Sequence, residues 1–502
     1  MTTQPLDLVP GSALGPFALG TMLFNTLNHV RTYRTQYPHA KLSWDEQNPS
    51  TGPIHLILTT PPLHLSFSPL SQRLERIEVS GLSPGEWVRY RGKTLTSDGV
   101  EDAEEDTVRA VRNVMGPTFG SSKGEGREEM LSYPGVAFGV VSSSSGASTL
   151  SRIILTPLPT PPGLPVDQAW LHPVLPAVPP AASGDLRLAT VYLDSENKAM
   201  HVELSFFASE EQEKIPDVVL KSGETSSEDV LCELGSAIRV FWKEDDRMSI
   251  HTASLPSSSA TASTPTTNPY FLSYPHLGLT LLLSCSSAPT HTLSKIILHS
   301  NLPGEVNFGR TARASWEVRR YDSRDQSRAE RGMGGAGGGR LVGIEEGWEK
   351  VKGAMDDLPD QAGKTGDGGG GGGGNKATTG GGGKRKPKSA NGNGNGNGNG
   401  NGNGNGGRKE EAVENLLGLS TFGTPPSFSS VALGVGVGEG GGGGGGKRGH
   451  EPPMILDRTA SGLDGDSREG GRIKGKTTEI HGYPSLAFEV TQEGEVETVW
   501  VF

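Results

Sequence analysis

A run of alternating apolar residues, a polar turn and a second apolar run recur four times in this chain, three times behind a tyrosine, and that recurrence limits the folds open to it. The clearest copy spans Tyr274 to Leu298, YPHLGLTLLLSCSSAPTHTLSKIIL. Leu277, Leu279 and Leu281 alternate, a Ser/Pro/Thr tract intervenes, and Leu293, Ile296 and Leu298 close the stretch. Alternation at period two puts each apolar set on one face of a strand, and the polar tract reads as a hairpin turn. The copy at Tyr133 carries Val136, Phe138 and Val140, then Leu150, Ile153 and Leu155. The copy at Tyr483 carries Leu486, Phe488 and Val490, then Val496, Val499 and Val501. A weaker copy without tyrosine lies at Leu63 to Val79, where Leu63, Leu65 and Phe67 precede Leu74, Ile77 and Val79. Matched apolar positions in four hairpins point to internal duplication.

Helical signals stand beside these hairpins. Met22, Leu23, Leu27 and Val30 fall at helical spacing ahead of Pro38, which predicts an amphipathic helix before the weak copy. EEDTVRAVRNVMG precedes the Tyr133 copy, with acids in its first turn and Gly116 as terminator. Its end, AVRNVMG, matches DVLCELG at 229–235 and AVENLLG at 412–418. Val111/Met115, Val230/Leu234 and Val413/Leu417 are then i,i+4 pairs on one helix face, each followed by a glycine free to take positive φ. The expected fold class is α+β, built from tandem repeats of one helix followed by an antiparallel hairpin or sheet, with long Gly/Asn-rich insertions.

On that reading residues 6–155 hold the first pair of helix-hairpin units. Residues 156–185 form a Pro-rich surface loop of polyproline II character, and 186–318 hold the third unit, with strands over 186–193 and 200–207. Residues 319–411 read as a mostly disordered insertion with one helix at 344–355, carried by Ile344, Trp348, Val351 and Met355. Residues 412–433 supply the helix of the last unit, 434–472 a Gly-rich disordered insertion, and 473–502 the C-terminal hairpin. The glycine count of 73 concentrates in these insertions, and the Asn-Gly array from Asn391 to Gly406 has no apolar surface to offset its ordering entropy.

Several function classes are disfavoured by composition. A net charge of -11 opposes whole-chain affinity for nucleic acid, which needs concentrated positive charge. Two cysteines, Cys232 and Cys285, make neither a disulfide framework nor a four-ligand zinc site. MTTQPLDLVPG lacks the basic and apolar regions of a secretory signal, and the apolar run Leu277–Leu283 is far too short to span a bilayer. The expectation is a cytoplasmic protein.

Catalytic motifs are sparse. Gly470–Thr477, GGRIKGKT, fits the phosphate-loop spacing, with Lys476 as the phosphate lysine. That motif works where a buried strand delivers the loop to a helix N-terminus, and the flanking SGLDGDSRE and EIHGYP provide neither. His251, His299 and His481 show no metal-ligand spacing, and Trp87, Trp242, Trp316 and Trp500 read first as packing residues. The run Lys384–Lys388, KRKPK, reads as solvated charge or a nuclear or anionic-surface address. No enzyme constellation emerges.

Residues 240–308 are the most distinctive. VFWKEDDRMSIH at 240–251, PYFLSYPHLGLTLLL, and LSKIILHSNLPGEVNF at 293–308 resemble the phagosome assembly factor family. LDLVPGSALGPFALGTML and SQRLERIEV resemble the family's opening, and YPSLAFEV resembles its end. The resemblance makes Asn301, Pro303, Gly304, Asn307 and Phe308, with Phe241, Trp242 and Lys243, the candidate structural or interface residues. It implies a non-enzymatic adaptor or scaffold in autophagy or membrane trafficking, without cofactor, nucleic acid or small-molecule substrate. Its partner would be a β-propeller autophagy protein that recognises phosphoinositides. Membrane contact would then be peripheral and indirect, with recruitment to phagophore or Golgi membranes. The rival readings are direct binding of phosphoinositide or other lipid, and nucleotide chemistry through GGRIKGKT.

Overall fold

All four repeated stretches form neighbouring antiparallel strands, but each pair is only part of a wider sheet. The computed structural model describes residues 5–46, 48–81, 87–95, 107–123, 128–142, 148–158, 164–208, 215–242, 269–284, 291–305, 308–321, 339–357, 453–456 and 477–502. The first half runs β1 (Leu6–Val9), β2 (Ala13–Leu14), β3 (Phe17–Ala18), α1 (Leu23–Thr32), β4 (Ala40–Ser43), β5 (Ile54–Thr59), β6 (Pro62–Phe67) and β7 (Leu74–Ser80). It continues with β8 (Val88–Tyr90), β9 (Lys93–Thr94), α2 (Thr107–Met115), β10 (Gly120–Lys123), β11 (Glu128–Tyr133), β12 (Val136–Ser142) and β13 (Ser148–Leu155).

The second half repeats that order. It comprises β14 (Leu186–Leu193), β15 (Ala199–Phe206), β16 (Val218–Leu220), α3 (Ser227–Leu234), β17 (Arg239–Trp242), β18 (Tyr270–Tyr274), β19 (Leu279–Ser284) and β20 (Thr292–His299). There follow β21 (Trp316–Arg320), β22 (Arg340–Gly343), α4 (Trp348–Asp356), β23 (Met454–Leu456), β24 (Thr478–Gly482), β25 (Leu486–Thr491) and β26 (Val496–Val501).

Each half has one five-stranded and one eight-stranded sheet. The small sheets run β3-β2-β1-β8-β9 and β16-β15-β14-β21-β22, with the β1/β8 and β14/β21 pairs parallel. The large sheets run β10-β11-β12-β13-β7-β6-β5-β4 and β17-β18-β19-β20-β26-β25-β24-β23. One buried cluster per half draws residues from both sheets and both helices. In the first it joins Leu8 and Val88 to Leu27, Val111, Leu65 and Phe138. In the second it joins Val191 and Trp316 to Val230, Val351, Leu281 and Phe488.

This arrangement corrects the expected fold class. The protein is mostly β, with four α-helices among the described residues, and it is not a tandem array of helices each covered by its own hairpin. The alternating leucines mark the third and fourth strands of a four-stranded run. Two such runs fuse where β7 pairs with β13 and β20 with β26. An isolated hairpin is marginal in water, and an eight- to ten-residue helix has too narrow an apolar stripe to cover a hairpin's face. Lateral pairing and the small sheet do that work. α4 occupies the place before β23–β26 that α2 holds before β10–β13. AVENLLG and the rest of 412–433 lie outside the described residues, as do KRKPK and Lys476.

Duplication is written into the backbone. Leu65 faces Ile77, Phe138 faces Ile153, Leu281 faces Ile296 and Phe488 faces Val499. Just beyond each pair the register slips by one, at Ser66/Phe67, Gly139/Val140, Leu282/Leu283 and Glu489/Val490. The extra residues on the facing strands are Glu75, Ser151, Ser294 and Glu497, so every copy carries a β-bulge at one position. The serines close it, Ser151 Oγ donating to the Gly139 carbonyl at 2.9 Å and Ser294 Oγ to that of Leu282 at 3.1 Å.

The repeated tyrosines hold helix ends. Tyr133 donates to the Gly116 carbonyl and Tyr274 to the Gly235 carbonyl, both at 2.9 Å, satisfying carbonyls at the ends of α2 and α3. Tyr483 reaches the end of α4 through Asp356 Oδ1 at 3.2 Å. The Pro-rich stretch is less of a free connection than its composition suggests. Trp170 is buried beside Met130, Ala137 and Ile154 on the face of the large sheet away from the main core, and its indole donates to the Asp167 carbonyl at 2.9 Å.

Two outcomes follow for stability. Tyr274→Phe removes one hydrogen bond and leaves the Gly235 carbonyl short of a partner, so urea unfolding should show a loss of about 1 kcal/mol. Burial pushes the Glu75 carboxyl from 4.5 up to about 7. The unfolded chain therefore gives up this proton first, and Glu75 costs stability as pH rises through that window. Glu75→Gln should melt higher than the wild type at pH 8, with the gap closing below about pH 4.5 in a thermal series.

Candidate functional site

The candidate residues named from sequence separate into two places. Asn301, Pro303, Gly304 and Phe308 lie in the loop after β20, whereas Phe241 and Trp242 end the edge strand β17. Asn307 and Lys243 lie outside the described residues.

The Asn301 loop belongs by sequence to the second half and packs into the first. Asn301 is buried and forms a reciprocal pair with Gln72. Asn301 Nδ2 donates to Gln72 Oε1 at 2.6 Å, and Gln72 Nε2 donates to the Asn301 carbonyl at 2.6 Å. Asn301 Oδ1 also accepts from the Gly309 amide at 2.8 Å, which closes the loop on itself. Both Gln72 and Asn301 have φ of 50°, a left-handed conformation that asparagine tolerates better than other residues with a side chain. Gly304, at φ 92°, needs the freedom of a missing Cβ, and Pro303 is buried beside it. Phe308 joins the first half's buried cluster, its ring edge-on to Trp44 at 5.2 Å.

Further ties surround this clasp. Buried Arg73 donates to the Gly20 carbonyl at 2.8 Å and pairs with Asp185 at 2.9 Å, its guanidinium 4.8 Å from the centre of the Phe207 ring. Arg313 donates to the Ser300 carbonyl at 3.1 Å, and burial pulls its pKa down to about 10. Ser50 Oγ donates to Glu495 Oε1 at 2.7 Å. The Asn301 turn is thus the fastening between two cores, and among the described residues no group of three His, Cys, Asp or Glu side chains could hold a metal ion.

β17 presents the opposite situation. A cavity of about 380 Å³ opens between α3 and β17, lined by Leu231, Val240, Trp242, Tyr270, Leu272 and His291 among others. Leu231 is 47%, Val240 48% and Trp242 60% exposed. The Trp242 ring lies 4.9 Å from that of Tyr270, whose hydroxyl bonds His291 Nδ1 at 2.9 Å. α3 is set by a capping box in which Ser226 Oγ accepts from the Asp229 amide at 3.1 Å and Asp229 accepts in return from the Ser226 amide at 3.0 Å. The groove carries apolar surface, an aromatic pair and one imidazole. Such chemistry suits recognition of a polypeptide or an acyl chain.

Sequence reasoning singled out Trp242 but missed Gln72, Trp44, Leu231, Val240, Tyr270 and His291. Gln72 stands 229 residues from Asn301, and no local pattern announces a contact that long. Trp316, by contrast, is a packing residue as read from the sequence, 1% exposed in the second core.

Comparison with known proteins bears on the same residues. The family model described as phagosome assembly factor 1 matches residues 13–502. The chain belongs to the phagosome assembly factor 1 family. A PHAF1 protein of Arabidopsis thaliana is 25% identical over 369 residues, covering 70% of this chain and 82% of the relative. A PHAF1 protein of Drosophila melanogaster is 25% identical over 333 residues, covering 62% and 73%. No solved structure matches. The family's name ties it to phagosome assembly, and among the described residues no helix is long and apolar enough to cross a membrane.

The two places respond differently to truncation. Phe308→Ala opens a cavity in the first core and should lower unfolding free energy by about 3 to 5 kcal/mol. Trp242→Ala, at an exposed edge, should change it by less than about 1 kcal/mol in the same denaturant titration.

Proposed function

We propose that this protein is a non-enzymatic adaptor in phagophore assembly or membrane trafficking, working in the cytoplasm through a β-propeller autophagy protein. That partner carries the phosphoinositide recognition and brings the chain to phagophore or Golgi membranes. Membership of the phagosome assembly factor 1 family supports the process. The observation that carries the adaptor role is the apolar groove beside the edge strand β17, where Leu231, Val240 and Trp242 are 47%, 48% and 60% exposed on a well-packed frame. Exposed aromatic and aliphatic side chains clustered at a groove mark binding surfaces rather than reaction centres.

Affinity purification of the full chain from its native organism, followed by mass spectrometry, should recover a β-propeller protein; its consistent absence sinks the partner. Flotation with vesicles containing phosphatidylinositol 3-phosphate should fail for the purified protein alone and succeed once that partner is added. Flotation without the partner would favour direct lipid binding instead.

A further inference from the structure

Register makes the groove at Trp242 the counterpart of the place where Phe308 is seated. The ladder Leu42–Leu56–Leu65–Ile77 across β4 to β7 corresponds to Val240–Leu272–Leu281–Ile296 across β17 to β20. Two residues beyond Leu42 and Val240 stand Trp44 and Trp242, so a tryptophan directly follows one edge strand and ends the other. The helix entries correspond as well. Met22 bridges Arg73 and Ser226 bridges Thr292, while the Leu23 amide donates to the Gln72 carbonyl at 2.8 Å and the Ser227 amide to that of His291 at 2.9 Å. Hence Leu27 corresponds to Leu231, and Gln72 to His291.

Exposure separates the two copies. Leu27 is 2%, Leu42 4% and Gln72 2% exposed, against 47% for Leu231 and 48% for Val240. In the first half Asn301 stands on Gln72 and Phe308 on Trp44. In the second half the corresponding wall is the open groove. The frame is the same and the chain itself shows what fits on it: a tight turn delivering one aromatic ring against the edge-strand tryptophan, with a polar contact at the position of Gln72.

We propose that the groove between α3 and β17 docks a turn-forming segment of a partner protein, which inserts one aromatic side chain beside Trp242 as Phe308 is inserted beside Trp44. This rests on the adaptor reading and gives it a binding surface. The ring enters between Leu231, Val240 and Trp242. His291 in place of Gln72 changes the polar partner, so the docked segment differs from the internal loop where that loop carries Asn301. Burial of three half-exposed apolar side chains supplies the driving force.

A fluorescent peptide of residues 300–312, SNLPGEVNFGRTA, serves as the probe against the full chain, because it carries Asn301 and Phe308, which seat on the corresponding frame of the first half. Saturable binding is expected, weakened at least tenfold by Phe308→Ala in the peptide and at least tenfold by Leu231→Glu or Trp242→Ala in the protein. Leu231 and Trp242 are exposed, so both variants should keep the wild-type melting temperature, which is measured alongside. Absence of binding up to about 1 mM, or binding indifferent to both protein variants, overturns the proposal. Self-association abolished by Leu231→Glu would assign the groove to a second copy. Adsorption to phosphatidylcholine–phosphatidylserine vesicles abolished by the same change would assign it to lipid, and either result overturns the partner-segment assignment. In the native purification, a β-propeller protein that co-purifies undiminished with Leu231→Glu leaves the adaptor role standing and removes the groove from it. If no partner co-purifies with the wild type, the adaptor role itself falls.

Discussion

Backbone pairing of β7 with β13, and of β20 with β26, is the interaction on which the rest of the structure depends. Each pair joins two four-stranded runs separated in sequence by a small-sheet hairpin and a helix. Without that seam each run would present an unpaired edge and a half-covered apolar face. With it, a continuous wall of buried residues forms, on which the helices and small sheet close a core. The bulge recurring in all four hairpins turns each run in the same way, so one geometry is reused across the seam.

Fusion within a half leaves the question of how the halves hold each other. The fastening is polar at its centre and aromatic at its side. The Gln72 carboxamide accepts from the Asn301 side chain and donates to the Asn301 backbone carbonyl inside the protein, where an unpaired amide would cost about 1 to 3 kcal/mol, and Phe308 adds apolar burial against Trp44. The left-handed backbone at both Gln72 and Asn301 is held by that pairing. A loop that leaves one core to complete another makes the two halves mutually dependent. The groove at Trp242 stands out because, among the described residues, no loop of the second half seats an aromatic ring there.

Much of the local structure was legible in the residues. Val136, Phe138 and Val140, or Leu277, Leu279 and Leu281, alternate because their strands each turn one face to a core, and the glycines after Met115 and Leu234 do take positive φ. Strands over 186–193 and 199–206 match the alternation read there. β5 and β11 were harder to see. Apolar Ile57 at an outward position blurs the Ile54, Leu56, Leu58 alternation of one, and Glu128 to Tyr133 of the other is buried at nearly every position, so neither reads as a clean two-residue period in the sequence. Missing those strands turned parts of eight-stranded sheets into isolated hairpins. Of the candidate site, Trp242 and the Asn301 turn were picked out by their distinctive residues, while Gln72, Leu231 and His291 carry no signal along the chain.

Sequence by itself determined the repeated strand pairs, through their apolar periodicity, and the glycines at which α2 and α3 stop. These depend on residues close in the chain, so their spacing records them. Only the tertiary structure decided which runs share a sheet, which core receives Phe308, and which of two equivalent grooves stays open. Those outcomes depend on contacts between segments far apart in the chain, 229 residues for Gln72 and Asn301 and 445 for Ser50 and Glu495, where many pairings satisfy the same local pattern and the complete set of buried hydrogen bonds and apolar contacts selects one.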